Sequence, residues 1–160
     1  MWYYLSLIPE EPSYVPSAEA QTQARDAFRA FLKKKAFHIL DKSEVEIEVE
    51  VSDDIQFVDQ GVNFESVSCP ACGTEIEFES WKKWMDRSYE SNFSDRSIVM
   101  RCCGCETDLN ALRYDWPAGF ARYVLRAVNP NIHNGVLPAD KLSVLEDILG
   151  CKLRQIRTYW

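Results

Sequence analysis

Four cysteines in two close pairs are the residues of this 160-residue chain best suited to chemistry. The first pair reads Cys69-Pro70-Ala71-Cys72-Gly73 and the second Cys102-Cys103-Gly104-Cys105. Two thiols separated by two residues turn both sulfurs toward one ion, with backbone N–H groups facing the sulfurs. Gly73 and Gly104 supply the backbone freedom that such tight turns need. Four thiolates close a tetrahedron, the arrangement of structural zinc, and leave no open position for a reactive water. The spacing therefore predicts one structural zinc ion held by Cys69, Cys72, Cys102 and Cys105, with no catalytic role. Cys103 adds a further thiol beside the second pair and is the alternative to Cys102 as third ligand; the two-residue spacing favours Cys102. A redox Cys-X-X-Cys needs one pair and leaves the other unexplained. Unliganded structural thiols seldom fall into two such pairs by chance.

Residues 67–109 resemble a zinc ribbon, on the strength of the Cys-Pro-X-Cys-Gly knuckle at 69–73. The second knuckle departs from the ribbon pattern, with the extra thiol of Cys103 and no glycine after Cys105. The 29 residues between the pairs exceed the usual ribbon spacing. Trp81, Trp84, Met85 and Tyr89 fall at helical spacing within that gap and account for its length; they read as core rather than as a cofactor box. The stretch 109–130, with Trp116-Pro117-Ala118-Gly119-Phe120 and Asn129-Pro130-Asn131, resembles bacterial zinc-ribbon proteins of unassigned function, so the resemblance implies no activity.

Elsewhere the sequence offers little chemistry. His38 and His133 stand alone and read as surface or packing histidines. Cys151, beside Leu153, reads as a small core residue. There is no phosphate-cradling glycine loop, no His-Glu-X-X-His and no nucleophile elbow. No catalytic and no organic-cofactor residues are therefore assigned, and the expectation is a protein that is not an enzyme.

The charge balance bears on partners. The chain carries 25 acidic and 18 basic side chains, net −7. Residues 1–68 are net −7 and residues 69–112 net −3, whereas residues 113–160 are net +3. A general nucleic-acid binder needs a dense basic footprint, so this balance speaks for a protein partner with a basic surface and against nucleic acid. No apolar run approaches the length of a bilayer span, and the apolar start, residues 1–8, lacks the basic residues of a signal peptide. A cytoplasmic protein is expected, in which paired cysteines point to metal rather than disulfides.

The elements that must position the thiols follow from periodicity. Tyr3, Leu5 and Leu7 alternate as a first strand, and Ser17 caps a helix through Ala24, Phe28 and Phe31 that ends near Lys33, Lys34 and Lys35. Val45, Ile47, Val49 and Val51 alternate with Glu44, Glu46, Glu48 and Glu50, giving one apolar and one acidic face. Short strands are expected at 55–58 and 62–67, then the cysteine module, a turn-rich link at 113–119, and a strand at 120–128. Pro138 opens a last helix that stops at Gly150, and residues 153–160 form the closing strand. With the module removed, two βαβ halves remain. The predicted fold is α+β: a ferredoxin-like sandwich formed by residues 1–52 and 118–160, with a zinc-ribbon module at 53–117 inserted between its second and third strands. In that arrangement Arg122 and Arg126 lie opposite the glutamate row, and Val45, Ile47, Val49 and Val51 face Phe28, Phe31, Leu145 and Leu149.

The function expected from these readings is a non-enzymatic zinc-binding protein-interaction module: an adaptor, a regulator or an immunity-type protein. The alternative is a nucleic-acid-binding zinc-ribbon regulator, which requires aromatic side chains exposed beside Arg or Lys.

Overall fold

The structure, a computed structural model, describes residues 2–32 and 45–160. Lys33, Lys34, Lys35, His38 and Glu44 lie outside the described residues. Along the chain run β1 (Tyr3–Pro9), α1 (Ala18–Phe31), β2 (Glu46–Val58), β3 (Ser66–Ser68), α2 (Phe78–Tyr89), β4 (Ser97–Val99) and β5 (Glu106–Asp108). They are followed by β6 (Arg113–Asp115), β7 (Gly119–Val128), α3 (Ala139–Leu149) and β8 (Leu153–Tyr159). The fold is mixed α/β, built on a four-stranded antiparallel sheet in the order β2-β7-β1-β8. Two two-stranded ladders, β3-β6 and β4-β5, carry the cysteines.

Local chemistry sets the helix ends. The Ser17 hydroxyl accepts from the Ala20 N–H at 3.2 Å, closing the first turn of α1. Gly150 ends α3 at φ 73°, a conformation that glycine adopts without a Cβ penalty, and its N–H bonds the Glu146 carbonyl. Both helices cover one sheet face. Phe28 of α1 and Leu145 and Leu149 of α3 are buried there against Leu5, Leu7, Tyr123 and Leu125. The residues on either side of the cysteine segment thus share one core, as the periodicity predicts.

Three expectations are corrected. Val45 and Ile47 join the helical core, but Val49 and Val51 are 39% and 47% exposed, because β2 runs on past the cover of the two helices. The segment 53–58 does not leave the sheet. β2 continues through it to Val58, with a register shift between Val51 and Gln56 that lets Ser52-Asp53-Asp54 bulge while Phe57 still pairs with Phe120. Arg122 holds that bulge, its Nε donating to the Ser52 carbonyl at 3.0 Å. The link expected at 113–119 contains a strand, β6, which pairs with β3.

Of the two arginines expected opposite the glutamate row, Arg126 meets it, whereas Arg122 falls at the bulge. Glu48 stands opposite Arg126 in the β2-β7 register, and the Arg126 guanidinium lies 3.4 Å from Glu48 and 3.6 Å from Glu50. Its Nε donates to the Ser6 hydroxyl on β1.

A second core joins the cysteine segment to the sheet. Phe120, fully buried at the start of β7, has ring centroids of Phe57 and Phe93 at 5.1 and 5.2 Å. Trp81 donates its indole N–H to the Tyr114 hydroxyl, which donates in turn to the Leu109 carbonyl, so both polar tips are satisfied inside an apolar cluster. Arg154 of β8 bolts the two parts together. It donates to the carbonyls of Asn110 and Ala118 and pairs with Glu10 at 2.6 Å. The Asn110 side chain meanwhile accepts the Phe120 N–H.

Candidate metal centre

Two turns present the thiols. The first leaves β3 at Ser68. The Gly73 N–H bonds the Cys69 carbonyl at 3.0 Å, and the Cys69 N–H bonds the Thr74 carbonyl at 2.9 Å. The second joins β4 to β5. Both turns place a glycine at positive φ, Gly73 at 75° and Gly104 at 73°, where a side chain would be strained. Cys69 is fully buried on the edge of the Trp81–Phe120 core, and Cys72, Cys102 and Cys103 are exposed. The second core therefore anchors one end of the cluster while the rest faces solvent.

The sulfurs converge. Cys72 lies 3.3 Å from Cys102, Cys69 3.8 Å from Cys103, and Cys102 4.0 Å from Cys103. The four sulfurs of Cys69, Cys72, Cys102 and Cys103 all lie within 4.8 Å of one another. The Cys105 sulfur is 3.8 Å from that of Cys69. Zinc–sulfur bonds of about 2.3 Å in a tetrahedron put the sulfurs about 3.8 Å apart. Four thiols are thus near enough to hold one metal ion, and the donor chemistry suits a soft or borderline cation.

No family model, curated protein or solved structure matches this chain. Its site has to be read from its own residues.

Electrostatics divides the cluster. Hydrogen bonding from the Cys72 backbone holds the Cys69 thiol down at about 6, well below an ordinary cysteine. The Thr74 hydroxyl beside Cys72 lowers that thiol as well. Cys102 is pushed up to about 12 by its hydrogen bond with Cys72, and Cys105 to about 12, chiefly by burial. The more acidic thiols thus belong to one turn and the less acidic to the other, and like charge on neighbouring sulfurs opposes their ionising together. A divalent cation relieves that repulsion and lets all its ligands ionise together.

Of the residues predicted to bind metal, Cys69, Cys72 and Cys102 stand in the close group of four, and Cys105 stands beside Cys69. Cys103, the alternative ligand of the sequence reading, is the fourth member of that group. The signal that could have found it is the glycine after it, which Cys103-Gly104 shares with Cys72-Gly73. Cys151 is half-buried against the helical core, as expected.

Proposed function

We propose that the chain is a non-enzymatic protein-interaction module stabilised by one structural zinc ion. The observation that carries this is the convergence of four sulfurs within 4.8 Å with no titratable or nucleophilic group of other chemistry in the set. Zinc is the metal such a closed thiolate set most often holds, and a closed set leaves no position for substrate. The segment 59–117 is read as a zinc-ribbon module inserted in a ferredoxin-like sandwich. The sheet order β2-β7-β1-β8, with both long connections crossing one face, supports that reading. No helix among the described residues is long and apolar enough to cross a membrane.

A basic protein surface is the partner that the charge distribution favours. On the sheet face away from the helices, a groove of about 350 Å³ is lined by Tyr4, Glu48, Glu50, Asp59, Arg126 and Trp160. Its arginine is already engaged by two carboxylates, leaving an acidic, aromatic-rimmed face. One observation favours the nucleic-acid alternative. Arg157 stacks on Trp116, 3.9 Å from the ring centroid, which is the arginine–aromatic pairing that single-stranded nucleic acids use. An anisotropy titration with single- and double-stranded DNA and RNA at about 0.15 M salt separates the two readings. The expected outcome is no binding tighter than about 10 μM. Salt-dependent binding below that value, lost on Arg157→Glu, would replace the protein-partner reading with the alternative.

Acid should release the metal, because protons compete for the ligand sulfurs. Above pH 6 Cys69 is already a thiolate and gives up no proton on binding. As pH falls through about 6 it takes its proton, and one more must then be displaced. Apparent zinc affinity should therefore weaken by about one further factor of ten per pH unit below that point. A competition titration with a chromophoric chelator between pH 5 and 8 reads this slope; a slope that does not steepen contradicts the assignment of Cys69.

A further inference from the structure

The turn that carries Cys69 and the turn that follows β4 share one hydrogen-bond pattern around a left-handed glycine. In the first, the Gly73 N–H bonds the Cys69 carbonyl and the Cys69 N–H bonds the Thr74 carbonyl, at 3.0 and 2.9 Å. In the second, the Gly104 N–H bonds the Met100 carbonyl and the Met100 N–H bonds the Cys105 carbonyl, at 2.8 and 2.9 Å. The two glycines differ by two degrees in φ, 75° against 73°. This matching aligns Cys69 with Met100, Ala71 with Cys102, Cys72 with Cys103, and Thr74 with Cys105. It is not the alignment that the Cys-X-X-Cys spacing suggests, which sets Cys72 against Cys105.

We infer that Cys103 is a metal ligand equivalent to Cys72, that Cys102 supplies the sulfur Met100 lacks, and that Cys105 lies outside the coordination sphere. This rests on the zinc reading above and specifies its ligands. Three observations converge on it. The residue before the left-handed glycine is a cysteine in both turns, Cys72 before Gly73 and Cys103 before Gly104. The sulfurs that lie mutually within 4.8 Å are those of Cys69, Cys72, Cys102 and Cys103. Met100, at the position of the buried Cys69, is itself buried at 2% exposure in the Trp81–Phe120 core, so that corner of the second turn is spent on packing.

Cys105 then has the place that Thr74 has in the first turn. The Thr74 hydroxyl lies 3.1 Å from the Cys72 sulfur, and the Cys105 thiol lies 3.8 Å from the Cys69 sulfur. Each is a small polar side chain set against a ligand sulfur, Thr74 within its own turn and Cys105 across to the other, the kind of outer partner that orients a ligand. A hydroxyl can do the same, so Cys105 is replaceable by serine and Cys103 is not.

The test uses Co²⁺ added to the full chain, because thiolate-to-cobalt charge-transfer absorption grows with the number of thiolates bound. Cys105→Ser should keep the wild-type band intensity and an affinity within about tenfold of wild type. Cys103→Ser should lose about a quarter of the band, one thiolate in four, or lose binding altogether. A Cys105→Ser protein short of a quarter of the band, or a Cys103→Ser protein indistinguishable from wild type, overturns the assignment. Failure of the zinc reading itself shows separately, as a wild-type protein that takes up no cobalt, and it removes this assignment too.

Discussion

Removing the metal with a chelator, or replacing Cys69 by serine, should unfold the two cysteine turns while the four-stranded sheet persists. Cys69 is the buried member of the cluster and touches both Cys103 and Cys105, so its loss leaves the remaining thiols without an anchor. Structural zinc contributes apparent binding energies of about 10–16 kcal/mol to small domains that cannot fold without it. Here the effect is confined by the second core, where Trp81, Tyr114 and Phe120 each pack on the Phe57 ring. Hydrogen exchange should show the Gly73, Ile76, Met100 and Gly104 amides losing their protection, since their bonds span the two turns. Amides of β1, central in the sheet between β7 and β8, should keep theirs. Uniform loss across both regions would mean that the metal supports the whole fold; no loss anywhere would mean that it supports none of it.

Phe120→Ala is expected to be the most damaging change away from the thiols. Its side chain is fully buried where β7 enters the second core, between Phe57 and Phe93. Truncating a buried phenylalanine costs about 3–5 kcal/mol, the lost transfer energy plus a cavity that rigid neighbours cannot fill. For a chain of this size that is a fall of roughly 10 °C in Tm. Because the ring joins sheet and module, zinc affinity should weaken as well. Denaturant unfolding of the zinc-loaded protein measures the first effect; a loss below about 1 kcal/mol would show that the two parts are not coupled through this residue.

The outline of the main sheet was legible because its strands and helices carry clean periodicities. Leu5 and Leu7 alternate with Tyr4 and Ser6, and Phe28, Leu145 and Leu149 recur on helix faces that bury them together. The Glu48–Arg126 pairing followed from strand order alone. What stayed hidden depends on long-range partners. Ser52-Asp53-Asp54 has the composition of a turn, yet β7 holds it as a bulge in a continuous strand through Arg122. Three-residue strands such as β6 have no period to read, and only their ladder with β3 defines them. The reach of the helices over β2 is likewise a tertiary quantity, so the exposure of Val49 and Val51 could not be seen in their alternation. At the cysteine cluster, spacing marked the two turns whose sulfurs converge, but spacing counts residues and the sulfurs answer to backbone conformation. The glycines that fix that conformation, Gly73 and Gly104, were noted for their freedom rather than used as an alignment.

The claim on which the rest stands is that the sulfurs hold zinc. The most direct measurement is elemental analysis of the full chain, purified without added metal or chelator and set against protein concentration from amino-acid analysis. The account predicts one zinc per chain, retained on gel filtration at neutral pH and lost from Cys69→Ser. Less than about half an equivalent of zinc in the wild-type protein, or a different metal in its place, would contradict it.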